Sequence, residues 1–291
     1  MHKFLRSIGF SGIRNNQDVE VLLKRIVENP SEKRRVQTEE NLNLWEIRGE
    51  VAPGMGIAIF GEIGEDGNFH REFYYPYLRS SDLSSAADCS IQRHTEKETY
   101  AGLLDEYRVG ISLIFFLENL SEYRKMKRDY DFHKIGGANL TGLATSGKVL
   151  LPLRKTAKQV ELSRVAARDR NDLIEAAKNG DEDAMETLTI EDIDLYSKIT
   201  RRMMKEDIYS IVETCFMPCG IECDQYSVIG EIENVAMKKN SVTGEDVYDL
   251  TVESSDLTFH VGIAKMDLLG EPEIGRRFKG QIWMQGFVQF T

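Results

Sequence analysis

Three cysteines, Cys215, Cys219 and Cys223, stand in a C-x3-C-x3-C run, CFMPCGIEC. Thiolates so spaced can ligate zinc or an iron–sulfur cluster. The last gap is one residue longer than the C-x3-C-x2-C of cluster-binding radical enzymes, and the run follows a helical region instead of opening an alternating strand–helix barrel. No paired C-x2-C knuckle supplies a fourth zinc ligand. Thiols on a bend made by Pro218 and Gly220 are the expectation, with no metal and no cofactor.

Residues 142–149 read GLATSGKV, one letter from the phosphate loop G-x-x-x-x-G-K-[ST]. In a true loop, a Ser or Thr after the lysine holds Mg²⁺ and a helix N-terminus faces the phosphates. Here Val149 follows Lys148, and VLLPLRK stands where the helix should begin. Thr145, Ser146 and Gly147 offer turn chemistry, so the stretch is predicted to be strand, tight turn, strand.

Two strand-like segments place ionisable groups at a spacing of two. His70 and Glu72 share a face in FHREF, and His94, Glu96 and Glu98 share one in HTEKET. Such a face can present ligands or an acid–base pair to one pocket. It is equally the pattern of a wet strand face bearing cross-strand ion pairs. Arg276, Arg277 and Lys279, with Phe278 and Trp283, form a basic and aromatic strip of the kind that holds single-stranded nucleic acid or another ligand. Residues 226–291 nevertheless carry ten acidic and six basic side chains, and that net repulsion makes nucleic acid a poor partner. Nucleophile-elbow, zincin, dinucleotide-binding and kinase motifs are lacking.

The elements that must position these residues follow from periodicity. KFLRSIGF and residues 16–29 have helical spacing, the second with Val19, Leu22, Leu23, Ile26 and Val27 on one face. LWEIRGEV, GIAIFGEI, FHREFYYPYL, SIQRHTEKETY and the apolar run ending at Leu117 read as strands. Asp66-Gly67 is a hairpin signal of the type I′ kind. Residues 155–207 read as a helical hairpin that turns at Asn179-Gly180, with Asp181 capping a short helix to Leu188 and Thr189 opening another. Strands return after Tyr226; in LTFHVGI, Leu257, Phe259, Val261 and Ile263 alternate with Thr258, His260 and Gly262. The predicted fold class is α+β: a mainly antiparallel, β-rich domain over 1–154, a helical hairpin over 155–207, and a small barrel of the oligonucleotide/oligosaccharide-binding kind over 208–291.

A chain of 291 residues with 37 basic and 48 acidic side chains has a net charge of −11 and a pI near 5.1. Anionic membranes and phosphate backbones repel such a surface. The opening MHKFLRSIGF interleaves charges with apolar residues, unlike a signal peptide, and the apolar block Ile111–Leu117 is too short to cross a bilayer. Four cysteines do not make a secreted framework, so a cytoplasmic protein with reduced thiols is expected.

The phrases HREFYYPYL, YRVGISLIFFLEN, MPCGIECDQYSVIGEI and IGRRFKGQIWMQG together resemble a bacterial protein family of unknown function whose members have about this length. The resemblance implies a bacterial cytosolic protein and carries over no catalytic residues. The expected function is non-catalytic binding or assembly, with a protein or small-molecule partner. The alternative is a hydrolase-type enzyme whose pocket lies near His70, Glu72, His94 and Glu96.

Overall fold

Apolar alternation along residues 43–78 becomes the centre of an antiparallel meander: β1 (Glu32–Gln37), β2 (Asn43–Ala52), β3 (Met55–Ile63) and β4 (Phe69–Leu78). The computed structural model describes residues 2–37, 43–93, 99–128, 135–153 and 157–290. Pleating sends Trp45, Ile47 and Gly49 of β2 to one face and Leu44, Glu46 and Arg48 to the other. Helix α1 (Asn16–Glu28) covers the first face with Val19, Leu22, Leu23 and Ile26, and Asn15 caps it by accepting from the Asp18 N–H at 2.9 Å. A Cβ on Gly49 would stand 2.7 Å from Ile26, so glycine is what lets the helix seat there.

The remaining strands are β5 (Cys89–Arg93), β6 (Tyr100–Leu104), β7 (Leu113–Leu117) and β8 (Ile135–Leu150), with α2 (Leu120–Arg128) between β7 and β8. After α3 (Ala157–Lys178), α4 (Glu182–Met203) and the single turn α5 (Ile208–Ile211) come β9 (Cys215–Pro218), β10 (Gln225–Lys239), β11 (Asp246–Ser254), β12 (Leu257–Ala264), β13 (Leu268–Leu269) and β14 (Arg277–Phe290). Strands β10, β11 and β12 form a meander, β14 pairs antiparallel with β10, and β8 lies between β14 and β12, parallel to β12. These pairings run in a closed circuit, 8-12-11-10-14-8, from which β7, β6 and β5 extend.

The fold class is α+β, as expected. The expected boundaries at 154 and 207 fall between strands of one sheet: β8, from before the helices, pairs with β12 and β14 from after them. A single hydrophobic cluster runs from Phe4 and Ile8 through Leu78 and Leu140 to Phe278 and Met284.

Three local expectations are corrected. GLATSGKV is not a hairpin turn. It lies inside β8, where Gly147 pairs with Gly280 and Lys148 with Lys279. Its backbone is held on one side by β14 and on the other by β12 and β13, and this ladder overrides the turn preference of Thr-Ser-Gly. Gly147 makes room for a ring: a Cβ there would meet Phe278 at 2.6 Å. Lys148 is followed by strand to Leu150, so no helix begins directly after it.

Asp66-Gly67 does not form a type I′ turn either. The loop joining Ile63 to Phe69 spans residues 64–68, and only Gly67 in it has positive φ, 73°. The paired left-handed residues occur instead at Ser255 and Asp256 (φ 56° and 62°), between β11 and β12. Finally, α4 is continuous through Thr189, whose hydroxyl donates back to the Met185 carbonyl at 2.8 Å in place of capping a new helix. Among the described residues no helix is long and apolar enough to cross a membrane.

Candidate functional site

The described residues singled out from sequence lie on several different elements. His70 and Glu72 are exposed on β4, and the His70 ring lies 3.3 Å from the carboxylate of the nearby Asp66. His94, Glu96 and Glu98 lie outside the described residues. Cys215 and Cys219 are half-buried and Cys223 is exposed; burial pushes all three thiols up, away from the thiolate form a metal needs. Among the described residues no group of three His, Cys, Asp or Glu side chains is arranged to hold a metal ion.

The basic strip is dispersed by its own hydrogen bonds. Arg277 turns inward and donates to the carbonyls of Leu151, Val212 and Tyr209, clamping β14 to the chain on either side of the helices. Arg276 pairs with Glu273 and with the Glu271 carbonyl, while the Lys279 ammonium donates to the Tyr209 hydroxyl. Trp283 is buried and gives its indole N–H to Asp224 at 2.7 Å. Its ring forms one wall of a cleft of about 280 Å³ with His2, Phe4 and Phe116. These rings pack on each other, with Phe4 stacked 5.3 Å from Trp283, and Lys3 already sets its ammonium 4.9 Å over Phe4.

Buried charges occur where no motif announced them. Arg48 and Glu46 of β2 meet Glu118, just past β7, at the seam between the sheets. Arg48 donates to Glu118 Oε1 at 2.8 Å and to its carbonyl at 3.1 Å; Arg79 shares the same carboxylate, and the Ser121 hydroxyl donates to Glu46. Two arginines balance two glutamates, the arrangement that lets a buried charge cluster persist. A smaller cluster joins Glu106 to Arg108 and Ser85. On the outer face of the closed circuit, His260 of β12 lies between Asp249 and Asp82, and Lys238 pairs with Asp249 at 3.0 Å. All of these are self-neutralising ties between elements.

The helical hairpin is different. At its turn Lys178 pairs with Asp105 of the body, and Arg170 of α3 pairs with Glu191 and Asp192 of α4. Ala184 is buried on that side of α4, yet Met185, Ile190, Ile193, Tyr196 and Met203 are exposed, Tyr196 to 74% and Ile193 to 61%.

The family model described as "Domain of unknown function, E. rectale Gene description (DUF3881)" matches residues 5–286. The chain belongs to this family. No curated protein and no solved structure matches it.

In this DUF3881 chain the match runs through the sheets and the helical hairpin alike. Sequence reasoning passed over the exposed row on α4 because the hairpin was expected to act as a connector. The signal was present: apolar residues recur on more than one side of α4, more than one packed face can bury. His260 was legible only as a polar position opposite Phe259 and Val261; its carboxylate partners come from β11 and from the chain after β4.

Proposed function

We propose that the protein is a non-catalytic binding or assembly protein of the bacterial cytoplasm whose contact surface is the α3–α4 arm. The observation that carries this reading is the row Met185, Ile193, Tyr196 and Met203, four large apolar side chains exposed along one helix. Contiguous apolar surface of this kind marks an interaction site. The hydrolase-type alternative needs titratable groups gathered in one pocket, and of its residues His70 is exposed beside Asp66.

The test is a photo-crosslinking residue at Tyr196, expressed in cells, with the same residue at the exposed Val21 on α1 as control. A protein adduct at position 196 and none at 21 is expected; no adduct at 196 rejects the reading.

A further inference from the structure

Lys148 of β8 and Lys279 of β14 are cross-strand partners, so their side chains leave the sheet on the same face. Like charges directly opposite one another are unfavourable. The row they share crosses five strands as Cys215, Ile229, Lys279, Lys148 and Leu269, and it holds no carboxylate. Two places along on that face Arg277 pairs with Leu150, and its guanidinium donates to carbonyls. Acidic groups border the patch in Glu231, opposite Arg277 on β10, and in Asp207, which accepts from the Tyr209 N–H at 2.8 Å. Neither makes an ion pair with Lys148 or Lys279.

Tyr209 of α5 meets this pair. Lys279 sets its ammonium 4.1 Å from the centre of the Tyr209 ring and donates to its hydroxyl. The hydrogen bond and charge of Lys279, joined by the charge of Lys148, hold the Tyr209 pKa below its ordinary value, against burial and Asp207. Among the described residues Lys148 has no hydrogen-bond or ion-pair partner, and the Tyr209 hydroxyl accepts one bond while its own hydrogen finds no acceptor. The cluster is therefore rich in donors and positive charge and poor in acceptors. Lys148 is exposed, with Lys279 and Tyr209 half-buried, so a solute can reach all three.

We infer that Lys148, Lys279 and the Tyr209 hydroxyl form a binding site for a phosphate-type oxyanion, free or carried on a small molecule. A tetrahedral oxyanion offers acceptor oxygens in several directions, and as a dianion it balances two ammoniums where a carboxylate balances one. Lysine serves such an anion as a point charge. The phosphate-loop likeness of residues 142–149 plays no part, because that backbone pairs with β14, β12 and β13 and the donors are side chains. The site is independent of whatever the α4 row contacts. An anion held there joins α5, which follows the arm, to β8, which precedes it.

Thermal melting of the full-length chain, with inorganic phosphate replacing chloride at constant ionic strength and neutral pH, tests the site. Wild type is expected to melt several degrees higher, reaching a plateau at millimolar phosphate, as a ligand that binds only the folded chain requires. Lys148→Gln, at an exposed position, is expected to lose most of that response, and without phosphate to melt no lower than wild type because a like-charged neighbour is gone. Tyr209→Phe keeps the ring and should need several-fold more phosphate to reach the same shift. Glycerol 3-phosphate in the same series distinguishes the sources: protection at lower concentration than inorganic phosphate assigns the site to a phosphorylated molecule, and equal or weaker protection to the free ion. A wild type that phosphate does not shift overturns the proposal. So does a Lys148→Gln protein that shifts as much as wild type, the mark of a salt effect on the whole surface.

Discussion

His260 Nδ1 stands 2.8 Å from Asp249 Oδ1, while Nε2 of the same ring is 3.0 Å from Asp82 Oδ2. Both nitrogens face carboxylates, and both can donate only in the imidazolium form. Burial opposes that charge, but the hydrogen bond and charge of Asp249, then those of Asp82, outweigh it and hold the His260 pKa above its ordinary value. Asp249 is pushed up by burial and pulled down further by His260 and Lys238; the His260 bond likewise lowers Asp82. The ring therefore serves as a charged tie between β12, β11 and the chain after β4.

The sign of its pH dependence follows. A raised histidine contributes fully below its unfolded pKa of about 6.5 and loses that contribution as pH rises through the folded value. The two depressed aspartates contribute above about 3.9 and lose it as pH falls through their folded values. Stability should hold a plateau between roughly 4 and 6.5 and decline above it. His260→Gln should flatten the alkaline decline in urea denaturation compared at mildly acidic and mildly alkaline pH. An alkaline decline of the same size in the variant would remove His260 as its source.

The Arg48–Glu118 pair predicts an asymmetry. Glu118→Ala takes a carboxylate from both Arg48 and Arg79 and leaves Glu46 to Arg48 at a buried seam, and losing one partner of a buried pair costs about 3–5 kcal/mol. Replacing Glu46, Arg48, Arg79 and Glu118 together by Gln, Met, Met and Gln should cost clearly less, because none of the four charges is left behind unpaired. Equilibrium denaturation of the two variants decides it; equal losses would mean the cluster's charges are not what Glu118 contributes.

Phe115 is fully buried between two glycines on neighbouring strands. A Cβ on Gly102 would stand 2.0 Å from its ring, and one on Gly286 2.3 Å. Gly102→Ala and Gly286→Ala should each destabilise by about 1–3 kcal/mol, the usual penalty of overpacking. Adding Phe115→Leu to either should recover part of the loss. Thermal melting reads both effects, and a Gly102→Ala protein that melts like wild type would show that the ring has room to move.

What could be read in the sequence was whatever depends on period and on near neighbours. Apolar runs and alternation in GIAIFGEI and LTFHVGI gave strands, and in the second its buried face; Asp181 marked a helix start, and Gly180, at φ 91°, the turn between α3 and α4. The C-terminal meander was visible for the same reason, and family membership rested on phrases spread over the whole chain.

Choice of strand partners was settled only in three dimensions. A two-residue period tells a strand which face is buried but not which strand lies beside it. Nothing near Thr145-Ser146-Gly147 says that β14 and β12 will flank that segment, so local turn chemistry was misleading until the ladder was complete. The buried ties have the same origin: Arg48 meets Glu118 across 70 residues and His260 meets Asp82 across 178. Charge pairing at such separation leaves no periodic trace in the chain. The sequence by itself determined most of the elements and the family; the tertiary structure decided that β8 and α4 run unbroken, which strands close the circuit, which charges are paired in the interior, and that the row of apolar side chains on α4 stays in solvent.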